Sequence, residues 1–193
     1  MPPKAKITKE MVINAGLKIV RTEGEENLNV RRVATELNCS TQPVMYHFKT
    51  VNDLKSEVYR LADELHTDFL MIPDENADNP LLSIGLRYIR FANEEKNLFC
   101  FLFQSDKFQN ISLRELVYSD CSAPIIAPIC ENTGLSESQA KELFESLLIC
   151  VHGAASLIAN NSIDYDNAYF ERLLGNTFTG MMCIIKGGKN ETV

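Results

Sequence analysis

Hydrogen-bonding side chains are concentrated between residues 40 and 49, and they are the groups in this sequence best suited to binding a polar surface. Hydroxyl, amide, phenol, imidazole and ammonium groups bind phosphate oxygens and the edges of nucleic-acid bases. The apolar Pro43 and Met45 among them can contact a thymine methyl group or a sugar. The polar members of this candidate DNA-reading segment are Ser40, Thr41, Gln42, Tyr46, His47 and Lys49.

Two short helices are predicted to position this segment. Apolar residues at i, i+3, i+4 and i+7 predict a helix over residues 30–37, with Asn29 as its candidate cap. Asn38 can adopt the left-handed conformation that ends so short a helix. A second helix is predicted over residues 41–47, with Ser40 as its candidate cap and Pro43 in its first turn, where a missing N–H leaves no gap. Two such helices joined by a tight turn are typical of a helix-turn-helix, whose second helix enters the major groove of DNA.

Longer helices are predicted on both sides of this pair. Thr8 can cap a helix over residues 8–23, and the segment from Thr50 to Asp53 resembles a capping box that opens a helix over residues 51–71. Arg31 lies at the start of the first short helix, from which its guanidinium group can reach the DNA backbone or a guanine edge.

The charge of the chain is distributed unevenly. Residues 1–60 hold ten Lys and Arg against seven Asp and Glu, whereas the remaining 133 residues hold nine against nineteen. A net charge of +3 at one end and −10 over the rest predicts that only the N-terminal part meets a polyanion.

At these N-terminal residues the sequence resembles the tetracycline-repressor (TetR) family of bacterial transcription regulators. A second segment, His152 to Asn161, is similar to the HG-x-ASL-x-x-NN pattern in the C-terminal domain of one branch of that family. The first match runs from Ile7 to about Leu54 and includes Ala15, Gly24, Leu28-Asn29-Val30-Arg31, Val33-Ala34, Ser40-Thr41-Gln42-Pro43-Val44, His47 and Phe48.

The resemblance implies a role for each residue of the reading segment. Residues 40–46 would be the recognition segment, Arg31 a base or phosphate contact, and Tyr46, His47 and Lys49 phosphate contacts. The sequence departs from the family pattern at two positions. Met45 stands where the family usually has a phosphate-binding Tyr, and Val51 where a Lys commonly anchors the next helix to the backbone. Lys55, one turn later, is the candidate replacement for that Lys.

The C-terminal part is predicted to be helical throughout, near residues 80–95, 98–105, 111–133, 137–161 and 166–186, with a capping box from Ser136 to Gln139. Small residues on helix 137–161 allow another helix to approach closely, so we expect this helix and helix 166–186 to form half of a four-helix bundle with a second copy. The resemblance implies the same homodimer; the alternative is that both helices are only core. The candidate interface residues are Gly153, Ala154, Leu157, Phe170, Leu174 and Phe178.

Aromatic residues between these regions can enclose an apolar pocket, although each of them can equally be ordinary core. The family resemblance implies a small-molecule pocket somewhere in this domain. Because the domain is strongly acidic, we expect its effector to be apolar or cationic. The candidate pocket residues are Tyr88, Phe91, Phe99, Phe103, Tyr118 and His152.

Catalysis, metal binding and cofactor binding are not indicated. Cys150 and His152 are two residues apart on a predicted helix and point to different sides, and the three histidines lack a cluster of further ligands. The six cysteines lack C-x-x-C spacing, and no phosphate-binding glycine motif is present. The polar first ten residues do not resemble a secretory signal, so we expect a cytoplasmic protein. The uncharged run from Ser146 to Ile163 is expected to be a buried helix and not a membrane segment.

These observations together predict an all-α protein with two domains, a helix-turn-helix domain over residues 1–54 and a larger ligand-binding and dimerisation domain over residues 55–193. We expect a sequence-specific regulator that binds a double-stranded DNA operator as a homodimer, and a repressor that an effector releases. The alternative is an all-α protein-interaction module or small-molecule carrier that binds no operator.

Overall fold

A computed structural model describes residues 7–72, 79–104, 117–118 and 122–187. In these residues all regular structure is helical, which confirms the predicted all-α class. The α-helices whose bounds lie within the described residues are α1 (Lys9–Glu23), α2 (Val30–Glu36), α3 (Thr41–His47), α4 (Val51–Leu70), α5 (Pro80–Glu94), α6 (Lys96–Phe103), α7 (Ala123–Thr133), α8 (Glu137–Ala159) and α9 (Asn167–Gly187).

The helices form two compact units. The first comprises residues 7–69 and 95–104, and the second comprises residues 70–72, 79–94, 117–118 and 122–187. The predicted boundary between residues 54 and 55 lies inside α4, whose residues 51–69 belong to the first unit. The functional division of the chain at that point stays a prediction.

Local capping groups determine where the first helices begin. The Thr8 hydroxyl accepts a hydrogen bond from the Met11 amide at the start of α1, and the Asn29 side chain accepts one from the Arg32 amide at the start of α2. The Thr50 hydroxyl and the Asp53 carboxylate accept hydrogen bonds from each other's backbone amides before α4, as predicted.

The turn between α2 and α3 is four residues long and closes in a defined way. Asn38 has a φ of 49°, in the left-handed region, as predicted. Its amide donates to the Thr35 carbonyl at 3.1 Å, and the Cys39 amide donates to the Ala34 carbonyl at 2.9 Å. This pair of bonds is a Schellman motif, which satisfies the last carbonyls of α2 and turns the chain sharply into α3.

Ser40 departs from its expected role as a cap. It occupies the N-cap position of α3, but its side chain makes no capping hydrogen bond. An N-cap side chain accepts from the second or third helical residue, and here the third is Pro43, which has no N–H to donate.

The first unit has a core built from all of its helices. The buried apolar side chains of α1 include Val12, Ile19 and Val20, and those of α4 include Leu54 and Val58. Helix α6 packs against α1, where the Asn97 side-chain amide donates to the Arg21 carbonyl at 3.0 Å. The recognition helix α3 is thus held on a packed support.

In the second unit α8 packs against α5, α7 and α9. The predicted capping box from Ser136 to Gln139 is present at its start, and Gly134, with a φ of 69°, ends α7. Helix α8 is long and apolar enough to cross a membrane. However, its side chains Ala140, Leu143 and Leu147 are buried in a hydrophobic core cluster, as in a folded helical domain.

The predicted helix over residues 111–133 is helical in its described part, at residues 117–118 and again over α7. Helix α7 starts at Ala123 after the N-cap residue Ser122, and Pro124 lies in its first two positions, where proline is favoured. Residues 111–116 and 119–121 lie outside the described residues. The five described cysteines, Cys39, Cys100, Cys130, Cys150 and Cys183, are free thiols.

Candidate nucleic-acid interface

Helix α3 has one buried face and one exposed face. Val44 and, just after the helix, Phe48 are buried in the first unit and fix the rotation of the helix. That rotation leaves Tyr46 82% exposed and Met45 55% exposed, although both are large apolar or amphipathic side chains. Side chains of this size are rarely left in water without a binding role when they lie together.

The other side chains of the reading segment have separate surroundings. Ser40, Thr41, Gln42 and Lys49 are exposed, and Pro43 is partly buried. His47 is partly buried, and its Nε2–H donates to the Ile7 carbonyl oxygen at 3.0 Å. The exposed surface of α3 therefore brings together the amide, phenol and thioether groups, whereas the His47 ring is bonded within the unit.

Most cations of the first unit are neutralised by carboxylates of the same unit. The ammonium group of Lys9 pairs with Glu57, that of Lys18 with Glu36, and the guanidinium groups of Arg21 and Arg60 also form ion pairs. Among the described basic residues of positions 7–60, Arg31 and Lys49 are the two that form no ion pair with a described residue. Both are exposed, and they lie at the start of α2 and just after α3.

Arg32 differs from its neighbour Arg31 in this respect. Its guanidinium group bonds both carboxylate oxygens of Glu23, at 2.5 and 3.0 Å, and also Glu36 at 3.2 Å. The hydrogen bond from Arg32 lowers the pKa of Glu23, and that from Lys18 lowers the pKa of Glu36. Arg32 consequently braces α1 against α2, and Arg31 is the member of the pair available to a polyanion.

Lys55, the candidate replacement for the lysine that Val51 displaces, is engaged elsewhere. Its Nζ lies 3.0 Å from Oε1 of Glu25, and both side chains are about three-quarters buried. The ammonium group of Lys55 is therefore held in a partly buried ion pair with Glu25, which lies in the turn after α1.

The six candidate pocket residues do not lie in one compact unit. Tyr88, Phe91, Tyr118 and His152 belong to the second unit, whereas Phe99 and Phe103 pack against each other in the first, with 5.0 Å between ring centroids. Tyr88 and His152 are joined, since 2.9 Å separates the phenol oxygen from Nδ1. Burial raises the pKa of Tyr88 and lowers that of His152, so both are neutral near pH 7.

The candidate dimer residues fall into two groups. Ala154, Phe170 and Leu174 are buried inside the second unit, and Phe178 packs against its core cluster. Gly153 and Leu157 are exposed, and with Ile149 they form a stripe at four-residue spacing along α8, where Ile149 is 55% exposed. Their part in an interface stays a prediction.

A cavity that the sequence did not indicate lies in the second unit. Its volume is about 570 Å³, and its lining comes from α5, α7, α9 and the residues before α5. None of the six candidate pocket residues lines it; its apolar walls are mainly aliphatic, with Phe178 as the aromatic member. Among the described residues, no group of three or more His, Cys, Asp or Glu side chains could hold a metal ion.

Comparison with known proteins gives one distant relative. The chain is 21% identical over 197 aligned residues to YobS of Bacillus subtilis (strain 168), an uncharacterized HTH-type transcriptional regulator. The alignment covers 98% of this chain and 99% of the relative. No protein-family model matches the chain. At this level the similarity supports a DNA-binding transcription regulator rather than an enzyme.

Proposed function

We propose that this chain is a homodimeric repressor of the TetR type, which binds a double-stranded DNA operator through α3 and is released by a small-molecule effector. The observation that carries the proposal is the exposed face of α3. It presents Gln42, Met45 and Tyr46 to solvent on a helix whose opposite face is fixed by Val44. A short helix held in this way after a four-residue turn fits the major groove.

The distribution of free cations supports the same surface. Arg31 and Lys49 flank α2 and α3, and neither is held by a carboxylate of the described chain. Phosphate contacts from such residues orient a reading helix without specifying sequence, and base contacts from Gln42 would supply the specificity.

The exposed apolar stripe of α8 supports a homodimer. Ile149 and Leu157 lie one helical turn on either side of Gly153, and on α9 the exposed Ile184 lies one turn after the exposed Gly180. The glycine in each group permits close helix approach, and pairing of these exposed residues between two copies would remove their apolar side chains from water. A dimer would present two copies of α3 to two half-sites.

Release by an effector follows if the effector binds better to a conformation in which the two copies of α3 are spaced wrongly for successive major grooves. Such a ligand and the operator would oppose each other through one conformational equilibrium. The second unit, with its cavity, is the part of the chain available for that ligand.

The experiment that tests operator binding selects DNA with the full-length protein, sequences it, and then measures affinity for the selected site. Gln42→Ala and Tyr46→Ala should each weaken binding by about 1–3 kcal/mol, the usual worth of one good base or phosphate contact. Asn14→Ala, at an exposed position of α1, is the matched control and should leave affinity unchanged. Failure to select any sequence, or full affinity in both α3 variants, would refute the proposal.

A further inference from the structure

The cavity of the second unit has walls that suit an apolar ligand. Its volume of about 570 Å³ falls within the range of about 300–1,000 Å³ that is usual for small-molecule sites. The apolar side chains that line it come from three helices and include Leu81, Ile84, Ile125, Ile129, Phe178 and Met182.

The polar side chains in the lining are largely used by the protein itself. Oδ1 of Asn79 accepts from the Leu81 and Leu82 amides at 3.0 and 3.4 Å and so caps α5. On α7 the Asn132 amide donates to the Pro128 carbonyl at 2.8 Å, and the Thr133 hydroxyl donates to the Ile129 carbonyl at 2.6 Å. These bonds leave few polar groups to recognise an uncharged polar ligand.

Lys186 is the charged residue of the lining, and it lies in the last turn of α9. It is exposed, so its ammonium group lies at the solvent side of the cavity, and it forms no ion pair with a described residue. The first turn of α5, which also lines the cavity through Pro80 and Leu81, adds the positive end of a helix dipole. The last turns of α7 and α9, which line it through Thr133 and Lys186, bring the negative ends of two others, so the ammonium group of Lys186 is the feature that favours an anion. No carboxylate occurs among the described lining residues.

We propose that this cavity binds a small molecule with an apolar body and one anionic head group, such as a medium-chain or aryl carboxylate, and that Lys186 contacts the head group. The body would fill the aliphatic walls, and the carboxylate would form a charge-assisted hydrogen bond with the ammonium group. This assignment differs from the apolar or cationic effector expected from the net charge of the domain, because Lys186 is the charged residue among the described lining residues. Binding of this ligand does not depend on the proposed function. Only the role of the ligand as the release signal rests on it.

The binding experiment compares three probes that share a ten-carbon chain. Decanoate, decanol and decyltrimethylammonium are titrated below their aggregation concentrations into the full-length protein, and calorimetry and melting temperature are recorded. We expect decanoate to bind with one molecule per chain, to raise the melting temperature, and to bind about tenfold more tightly than decanol. Equal affinity for decanoate and decanol, or a preference for decyltrimethylammonium, would overturn the assignment.

Charge variants then locate the site. Lys186→Gln should weaken decanoate binding about tenfold and leave decanol binding unchanged, and Lys186→Glu should shift the preference to decyltrimethylammonium. Lys141→Gln is the matched control, because Lys141 is ion-paired with Glu137 and lines a separate cavity of about 460 Å³, formed by α7 and the start of α8 with Tyr118. If Lys186 only complements the dipole of α9, Lys186→Gln will lower the melting temperature of the free protein without changing decanoate affinity, and the proposal fails.

A filling variant tests the apolar part of the site. Met182→Trp places a larger side chain in the lining at a partly buried position, and circular dichroism confirms that the variant is folded. Binding of both decanoate and decanol should be lost. If the folded variant binds both as tightly as the wild type, the ligands occupy another surface.

Operator measurements separate the two proposals. If decanoate binds at Lys186 and the protein binds no selected DNA, the site stands and the regulator proposal fails. If both bind and decanoate leaves operator affinity unchanged, the cavity holds a ligand that is not the effector, and the role as release signal is wrong.

Discussion

Gly16 of α1 lies directly against Val58 of α4. A Cβ atom added at Gly16 would be 2.7 Å from Cγ2 of Val58, closer than real side-chain atoms approach. The absence of a side chain at this position lets the two helices meet, and this contact holds α4 onto the support of the recognition helix.

Gly16→Ala should therefore destabilise the protein, although alanine has the higher helix propensity by about 1 kcal/mol. Val58 is fully buried and its branched side chain has little rotamer freedom, so the clash should outweigh that gain and lower the free energy of unfolding by about 1–2 kcal/mol. Gly175→Ala in α9 is the control, since a Cβ there meets no atom within 4 Å, and it should raise stability. Chemical denaturation measures both, and a stabilised Gly16→Ala protein would contradict the packing described.

Gly153→Leu should shift the proposed dimer towards monomer. A Cβ at Gly153 has no neighbour within 4 Å in the protomer, and leucine favours a helix more than glycine does, so the protomer should not lose stability. Loss of the dimer would then result from the leucine side chain, which would hold α8 away from the facing helix of the second copy. Sedimentation at micromolar concentration measures the change, with Asn14→Leu on α1 as the control for an added exposed leucine. A wild-type protein that is already monomeric would remove the basis of the two-half-site arrangement.

Arg87→Met should leave stability unchanged or raise it by about 1 kcal/mol. Nε of Arg87 is buried and has no hydrogen-bond partner within the described part of the chain, so part of a guanidinium group has lost its hydration without compensation. Methionine keeps the length of the side chain and removes that penalty. The control is Arg90→Met, which removes only the exposed pair with Glu94 and should change stability by less than about 0.5 kcal/mol. A large loss at position 87 would show that the guanidinium group is satisfied.

His66→Leu should reduce the pH dependence of stability between pH 6.5 and 4. His66 is buried on α4 against the Phe103 ring, and burial lowers its pKa from 6.5 to about 4. In this interval the unfolded chain binds a proton that the native protein excludes, so stability falls as the pH falls, by up to about 3 kcal/mol. The leucine variant lacks this loss, whereas the carboxylates act equally in both proteins. The unfolding free energy of the variant minus that of the wild type should therefore rise by up to about 3 kcal/mol as the pH falls across the interval; parallel curves would contradict the assignment.

Local chemistry explains which parts of the fold could be predicted. The caps at Thr8 and Asn29, the left-handed Asn38 and the box from Ser136 to Gln139 depend on residues at most four apart, and all were predicted. The side-chain cap expected at Ser40 is absent, and an equally local feature contributes: Pro43 has no N–H, which removes one of the two amides that usually donate to such a cap.

Contacts between distant segments could not be predicted in the same way. The pair between Lys55 and Glu25 joins residues thirty positions apart, and that between Tyr88 and His152 joins residues sixty-four apart. Periodicity places such residues on helix faces but does not say which faces meet. The 570 Å³ cavity was missed for this reason, since its lining runs from Met71 to Lys186 and has no compositional signature.

The internal neutralisation of the first unit affects how a regulator of this kind would find its target. Non-specific attachment to DNA depends on free cations, and in residues 7–60 the described part of the chain leaves only Arg31 and Lys49 without an ion pair. If the chain binds an operator as proposed, these described residues give it a weak hold on unrelated sequence. So far as these described residues determine its search, the protein would travel only short distances along the duplex between collisions, and its selectivity would come mainly from how long it stays once the α3 side chains meet the right bases.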